Sequence, residues 1–186
     1  MMKMRRSKGL KMQHLVVVIL TGLGVLLGHM AAMAAVPQIS AGESFTVALK
    51  EDGTVWTWGS NGFGLLGIGT DSRHGGPVRV SGLADVTAVA AGDYHIVALK
   101  DDGTVWAWGN REFGQLGDGT ADNWRNAPVQ VLGLADMTAV AAGGGHTVAL
   151  KEDGTVWAWG GTPMGSWVTA PPTEAPPPCR SSAWPM

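Results

Sequence analysis

The sequence predicts an all-β protein, an incomplete β-propeller of about two and a half blades, each a four-stranded antiparallel sheet. Three observations carry this. The phrase at Ala48–Gly59 recurs almost unchanged at Ala98–Gly109 and Ala149–Gly160, with Gly53, Gly103 and Gly154 spaced by 50 and 51 residues, a period found in propellers and other arrays. Within each unit, runs rich in β-branched and aromatic residues show a spacing of two and are broken by Gly, which argues against helix. Each period holds about four such runs, the content of one blade.

The chain opens with Lys3, Arg5, Arg6, Lys8 and Lys11, continues into the apolar run Leu15–Leu27, and reaches Ala32-Met33-Ala34. That is the order of a secretory signal peptide with a small-x-small cleavage site, so residues 1–34 are expected to be a leader that meets the membrane only transiently. The 13-residue apolar run falls short of the roughly 20 residues a membrane-crossing helix needs, which argues against a permanent anchor. Arg5-Arg6 is followed by Ser7, Lys8 and Gly9, where a twin-arginine signal would need apolar residues. The expected location is secreted, or periplasmic and cell-envelope.

Residues 35–160 carry the repeats. Thr46–Lys50 and Thr54–Trp58 flank Glu51-Asp52-Gly53, a hairpin in which Gly supplies the positive φ that a tight turn requires. Side chains alternate along a strand, so Trp56 and Trp58 share one face and Val55 and Thr57 the other; both faces are apolar enough to need cover. Val86–Gly92, with its copy Met137–Gly143, and Pro77–Val80, with its copy Pro128–Val131, supply the remaining strands. Residues 161–186 leave the pattern: Pro171, Pro172, Pro176, Pro177 and Pro178 give an extended, Pro-rich stretch that is either disordered or aberrant. The break after Gly160 reads as a truncated or frame-shifted array, or as a linker.

Without residues 1–34 the chain keeps eight basic residues against all 15 acidic ones, a net charge of −7. Nucleic-acid binding depends on cationic neutralisation of phosphates, so no nucleic acid is expected as partner. The lone Cys179 excludes an internal disulfide framework and leaves stability to packing and strand pairing.

Several motifs suggest chemistry and are better explained by structure. Gly62-Phe63-Gly64-Leu65-Leu66-Gly67 matches a dinucleotide fingerprint, but the helix that would hold the pyrophosphate does not follow, and Glu112 replaces the first Gly in the next copy. His95 and His146 occupy a position that is Phe45 in the first copy, which points to packing and local hydrogen bonding; no Cys, Asp or Glu nearby has metal-ligand spacing. The recurring tryptophans serve the core, since such rings dominate packing. No catalytic, cofactor-binding or metal-binding residue is expected.

In Ala91-Gly92-x-x-His95-x-Val97-Ala98-Leu99, in Asp102-Gly103-Thr104-Val105-Trp106-Ala107-Trp108-Gly109 and in Gly114-Gln115-Leu116-Gly117-Asp118-Gly119-Thr120, the chain resembles the regulator of chromosome condensation repeat family, across Val36–Gly160. The resemblance implies a closed β-propeller whose loops form two end surfaces, although the units here are too few to close that ring. It also implies protein binding as the shared role, seen in nucleotide exchange factors, chromatin-bound modules and exported bacterial inhibitors. The exchange wedge of the first group has no counterpart in these short loops.

Function is then expected where the copies differ. Thr70–Pro77 aligns with Thr120–Pro128, and the second is one residue longer; length changes in repeat folds map to loops on one face. The candidate partner-binding residues are Asp71, Arg73 and His74 with Asn123, Trp124, Arg125 and Asn126, Trp and Arg being the residues most often found as interface anchors. Ser60–Phe63 and Asn110–Phe113 are secondary candidates. The expected function is a non-catalytic exported protein-interaction module. The alternatives are an inhibitor of an extracellular enzyme and a guanine nucleotide exchange factor. Open blade edges add self-association as an expectation.

Overall fold

The computed structural model describes residues 34–120, 122–162, 165, 166, 179 and 180. The leader expected over 1–34, apart from its last residue, and the Pro-rich segment lie outside the described residues. Three antiparallel sheets follow one another along the chain. The first blade is β1 (Gln38–Ala41), β2 (Phe45–Leu49), β3 (Val55–Gly59) and β4 (His74–Arg79), paired in that order. The second repeats it with β5 (Val86–Ala91), β6 (His95–Lys100), β7 (Val105–Asn110) and β8 (Trp124–Gln130). The third has β9 (Met137–Ala142), β10 (His146–Lys151) and β11 (Val156–Thr162), with the short β12 (Gly165–Ser166) and β13 (Cys179–Arg180) both pairing with β11. This is an incomplete propeller, as the repeat count predicts.

The hairpin between β2 and β3 shows why the phrase recurs. Gly53 sits at φ 72°, and the Lys50 amide bonds the Thr54 carbonyl at 2.9 Å. Asp52 accepts from both the amide and the hydroxyl of Thr54, at 3.0 and 2.6 Å, while Trp56 Nε1 donates to the same hydroxyl at 3.1 Å. Asp102, Thr104 and Trp106 repeat the arrangement. Asp-Gly-Thr-x-Trp is thus one hydrogen-bonded clip, and the hydroxyl bond from Thr54 or Thr104 holds each Asp below its ordinary pKa.

The two faces of the central blade divide between two cores. Ile96, Ala98 and Trp108 join Val47, Leu49, Val55, Leu65 and Val86 between the first and second blades. Val97, Leu99, Val105 and Ala107 join Leu116, Val131, Met137, Ala149 and Trp159 between the second and third. Trp108 and Trp159 are fully buried, each donating Nε1 across the blade junction: Trp108 to the Leu65 carbonyl at 3.1 Å and Trp159 to the Gln115 carbonyl at 2.9 Å.

This junction accounts for the glycine fingerprint. A Cβ on Gly67 would lie 2.8 Å from Trp108 Nε1, and one on Gly117 would lie 2.9 Å from Trp159 Nε1. The motif lets backbone approach the indole of the next blade. Gly62–Gly64 forms only a short 3-10 turn, and the chain proceeds into β4 rather than into a helix.

Candidate functional site

Two loops, β3–β4 and β7–β8, emerge at the same end of neighbouring blades. Different chemistry braces each. In the first, Asn61 is buried and its amide nitrogen donates to the Thr70 and Ser72 carbonyls at 2.9 and 2.7 Å, while its oxygen accepts from the Leu66 amide at 2.9 Å. In the second, Arg111 stands at the position of Asn61, and its guanidinium binds Asp118 at 2.8 Å. Arg125 binds the other oxygen of Asp118 at 3.0 Å and also reaches Asp122 and Thr120. Thr120 closes the ring by donating to Asp118 at 2.7 Å. Burial acts to raise the Asp118 pKa, but the bonds from Thr120 and Arg111 outweigh it and hold the carboxyl below its usual range.

The loops meet through Asn126. Its carbonyl accepts from the Gly69 amide at 2.7 Å, its side chain donates to Asp71 at 3.4 Å, and its Cα lies where a Cβ on Gly64 would be, 2.3 Å away. Between the loops opens a cleft of about 760 Å³, lined by Asn61, Phe63, Asp71, Arg73, His74 and Trp124 among others. Trp124 also walls a second depression of about 430 Å³ with Asp122, Asn123 and Arg125. Trp124 is 43% exposed.

Of the seven sequence-predicted residues, Asp71, Arg73, His74 and Trp124 share the cleft. Asn123 lies in the second depression and its carbonyl accepts from the Arg111 amide. Arg125 and Asn126 brace the loops. His74 and Trp124 begin the fourth strands, His74 opposite Gly59 and Trp124 opposite Asn110, where the sequence pattern suggested loop. The reason is that β4 is an outer strand with little burial, so it carries no apolar alternation before Pro77.

His95 is fully buried. Thr147 gives its single hydroxyl proton to the Gln115 carbonyl at 2.8 Å, so His95 Nε2, 2.9 Å from that hydroxyl, is the donor in their bond. Burial, with a smaller contribution from His146, pushes its pKa down to about 3. The equivalent positions one blade earlier are Phe45 and Ile96, both buried in one apolar cluster. The histidine is a packing alternative to phenylalanine with a matched partner.

Sequence reasoning missed Tyr94, Glu43 and Asp93. Tyr94 is 38% exposed and Phe63 45% exposed, and their rings meet edge-on at 5.9 Å and 75°. A signal was present: the three β-turns preceding β2, β6 and β10 read Gly-Glu-Ser, Gly-Asp-Tyr and Gly-Gly-Gly, so the copies disagree there too. Among the described residues no group of three His, Cys, Asp or Glu side chains is placed to hold a metal.

The Regulator of chromosome condensation (RCC1) repeat matches residues 52–99 and 102–150, and a second description of the same repeat matches 37–65, 86–115 and 137–165. The chain belongs to this repeat family. Among solved structures it is similar to human WBSCR16, with TM-score 0.65 and 24% identity over 77% of this chain and 37% of that one, a likeness of fold. It is also similar to Prp20p from Saccharomyces cerevisiae, with TM-score 0.60 and 29% identity over 68% of this chain and 31% of that one. The match therefore spans about a third of either relative. In regulator of chromosome condensation repeats of this chain, the shared residues are those of the clip, the inter-blade tryptophans and the glycine loops, whereas Asp71, Arg73, His74 and Trp124 of the cleft differ between the copies.

Proposed function

We propose that this chain is a non-catalytic, exported protein-interaction module that binds a protein partner through the end bearing the β3–β4 and β7–β8 loops. The observation that supports it is the cleft, where Asp71, Arg73 and His74 of one blade converge with an exposed Trp124 of the next. An exposed indole in a concave, mixed polar and apolar setting has the composition of an interface anchor. The recurrent residues are consumed by packing, which leaves the varied ones to set specificity. Prp20p, whose structure was described with its binding properties to Gsp1p and histones, is a relative that binds proteins, in keeping with this reading. The basic and apolar residues of 1–34 favour export, which places the partner outside the cytoplasm.

The test is affinity capture from the extracellular fraction with the full chain as bait, alongside Trp124→Ala and Arg73→Ala variants and a control, Asp101→Ala, in the exposed β6–β7 turn at the other end of the blades. A protein retained by the wild type and the control and lost from both cleft variants is the expected result. Equal capture by all four baits would remove this end from the site.

A further inference from the structure

The exposed aromatic rings Phe63, Tyr94 and Trp124 all stand at the end of the blades that carries the cleft. They are surface aromatics in an otherwise polar setting, and one of them, Tyr94, lies beyond the residues that the copy comparison selects. Phe63 lines the cleft with Trp124 and stacks edge-on against Tyr94, so the three form one continuous strip across the junction of the first and second blades.

The charges around the strip choose the occupant. The loops of this end carry the carboxylates Glu43, Asp71, Asp93, Glu112, Asp118 and Asp122 against the guanidinium groups of Arg73, Arg111 and Arg125. Arg111 and Arg125 pair with Asp118 and Asp122, which leaves Glu43, Asp71, Asp93 and Glu112 against Arg73. Glu43 and Asp93 stand beside Tyr94: the phenol's hydrogen bond to Glu43, then burial, then the two carboxylate charges raise its pKa. The Glu43 and Asp93 turns are themselves joined, the Glu43 amide donating to the Asp93 carbonyl. Aromatic faces and carboxylates together attract a cationic side chain, the rings through their quadrupole and the carboxylates through charge and hydrogen bonds.

We propose that the Phe63–Tyr94–Trp124 strip binds an arginine- or lysine-bearing segment of the protein partner, seated between the rings and the Glu43 and Asp93 carboxylates. This rests on the reading of the chain as a protein-interaction module and adds the chemical class of what the site recognises. Exposed rings gain from covering, an anionic partner is repelled, and an apolar segment leaves Glu43 and Asp93 without a counter-charge.

The probe is a fluorescein-labelled Gly-Arg-Gly-Arg-Gly-Arg-Gly peptide, titrated against the full chain by anisotropy, with the same peptide carrying citrulline or glutamate in place of arginine. The arginine peptide should bind, the citrulline peptide at least about 10-fold more weakly, and the glutamate peptide not measurably. Tyr94→Leu and Trp124→Ala, at exposed positions whose folding is checked by circular dichroism, should each weaken arginine-peptide binding about 3- to 30-fold, the range a ring–cation contact supports. Glu43→Gln with Asp93→Asn should weaken it and flatten its salt dependence. Asp101→Asn with Asp102→Asn, at the opposite and also acidic end, should leave it unchanged.

Equal binding of arginine and citrulline peptides, or equal losses from the two acidic ends, would overturn the inference, the latter showing net charge at work rather than a site. If a captured protein depends on Trp124 while the peptides show no charge preference, the interaction module stands and this inference falls. If no capture depends on Trp124, the broader reading falls.

Discussion

Trp58, Trp108 and Trp159 occupy one position of the repeat, yet only the last two are fully buried and bonded across a blade junction; Trp58 is half-buried. Replacing Trp108 by Ala removes a buried indole between two close-packed blades and leaves the Leu65 carbonyl without its donor. Losses of about 3–5 kcal/mol are usual for such a truncation, and the buried Leu65 carbonyl oxygen without its partner puts this one at the upper end. Trp58→Ala removes a ring already partly in water, at a cost of about 1–2 kcal/mol by the area it covers. The two variants should therefore differ by about 3–4 kcal/mol. With a urea slope of about 2 kcal/mol per molar for a domain of this size, their unfolding midpoints should lie about 1.5–2 M apart, followed by circular dichroism on the full chain. Trp108→Phe, which keeps most of the ring, gives a milder measurement if the Ala variant is too unstable to fold. Equal losses at Trp58 and Trp108 would refute the assignment of the second tryptophan to the blade junction.

Three more outcomes follow from the same geometry. Thr147→Ile should destabilise by about 1–3 kcal/mol by stranding the buried imidazole Nε2–H, and His95→Phe by less, about 1 kcal/mol, because the Thr147 hydroxyl keeps its bond to Gln115; together they recreate the Phe45–Ile96 pairing, and the double variant should recover most of the loss in a double-mutant cycle. Because the pKa of His95 falls to about 3 in the fold, against about 6.5 when unfolded, the unfolded chain binds the extra proton between those values. Stability is then fully present above pH 6.5 and is lost as pH falls, by up to about 1.4 kcal/mol per pH unit, and the difference in slope between wild type and His95→Phe from pH 6.5 to 5 should show it in urea titrations. Asp118→Asn should cost about 3 kcal/mol, the loss expected when one partner of a buried charge network is removed, and should weaken partner binding by loosening Trp124, measurable as a rise in hydrogen exchange across residues 111–126.

Most of the blade architecture was legible because a repeat states its own rules. The Asp-Gly-Thr-x-Trp phrase fixes a hairpin locally, and its recurrence at 50 and 51 residues fixes how many hairpins there are. The outer strands were legible only from Pro77 and Pro128 onward. His74, Trp124 and Arg125 pair with the neighbouring strand ahead of an irregularity in the ladder, and backbone pairing leaves no mark on side-chain pattern. At the candidate site, comparison of the copies identified Trp124 and the Asp71–His74 wall. It could not separate Arg125 and Asn126, which brace the loops, from residues that face outward, because both kinds vary. Nor could it find the Asp118 network, which depends on two arginines 14 residues apart being folded onto one carboxylate. Tyr94 was overlooked because its turn is short, although it varies between copies as the longer loops do.

The central claim is that the repeated residues build the scaffold and the varied loops of one end meet a partner. The most direct measurement is hydrogen exchange of the full chain, free and bound to the protein it captures. Slowed exchange concentrated in residues 60–74, 92–94 and 122–126, with the Asp101–Thr104 turn at the other end unchanged, is the predicted result. Protection confined to that opposite turn and its counterparts, or spread evenly over both ends, would contradict the account.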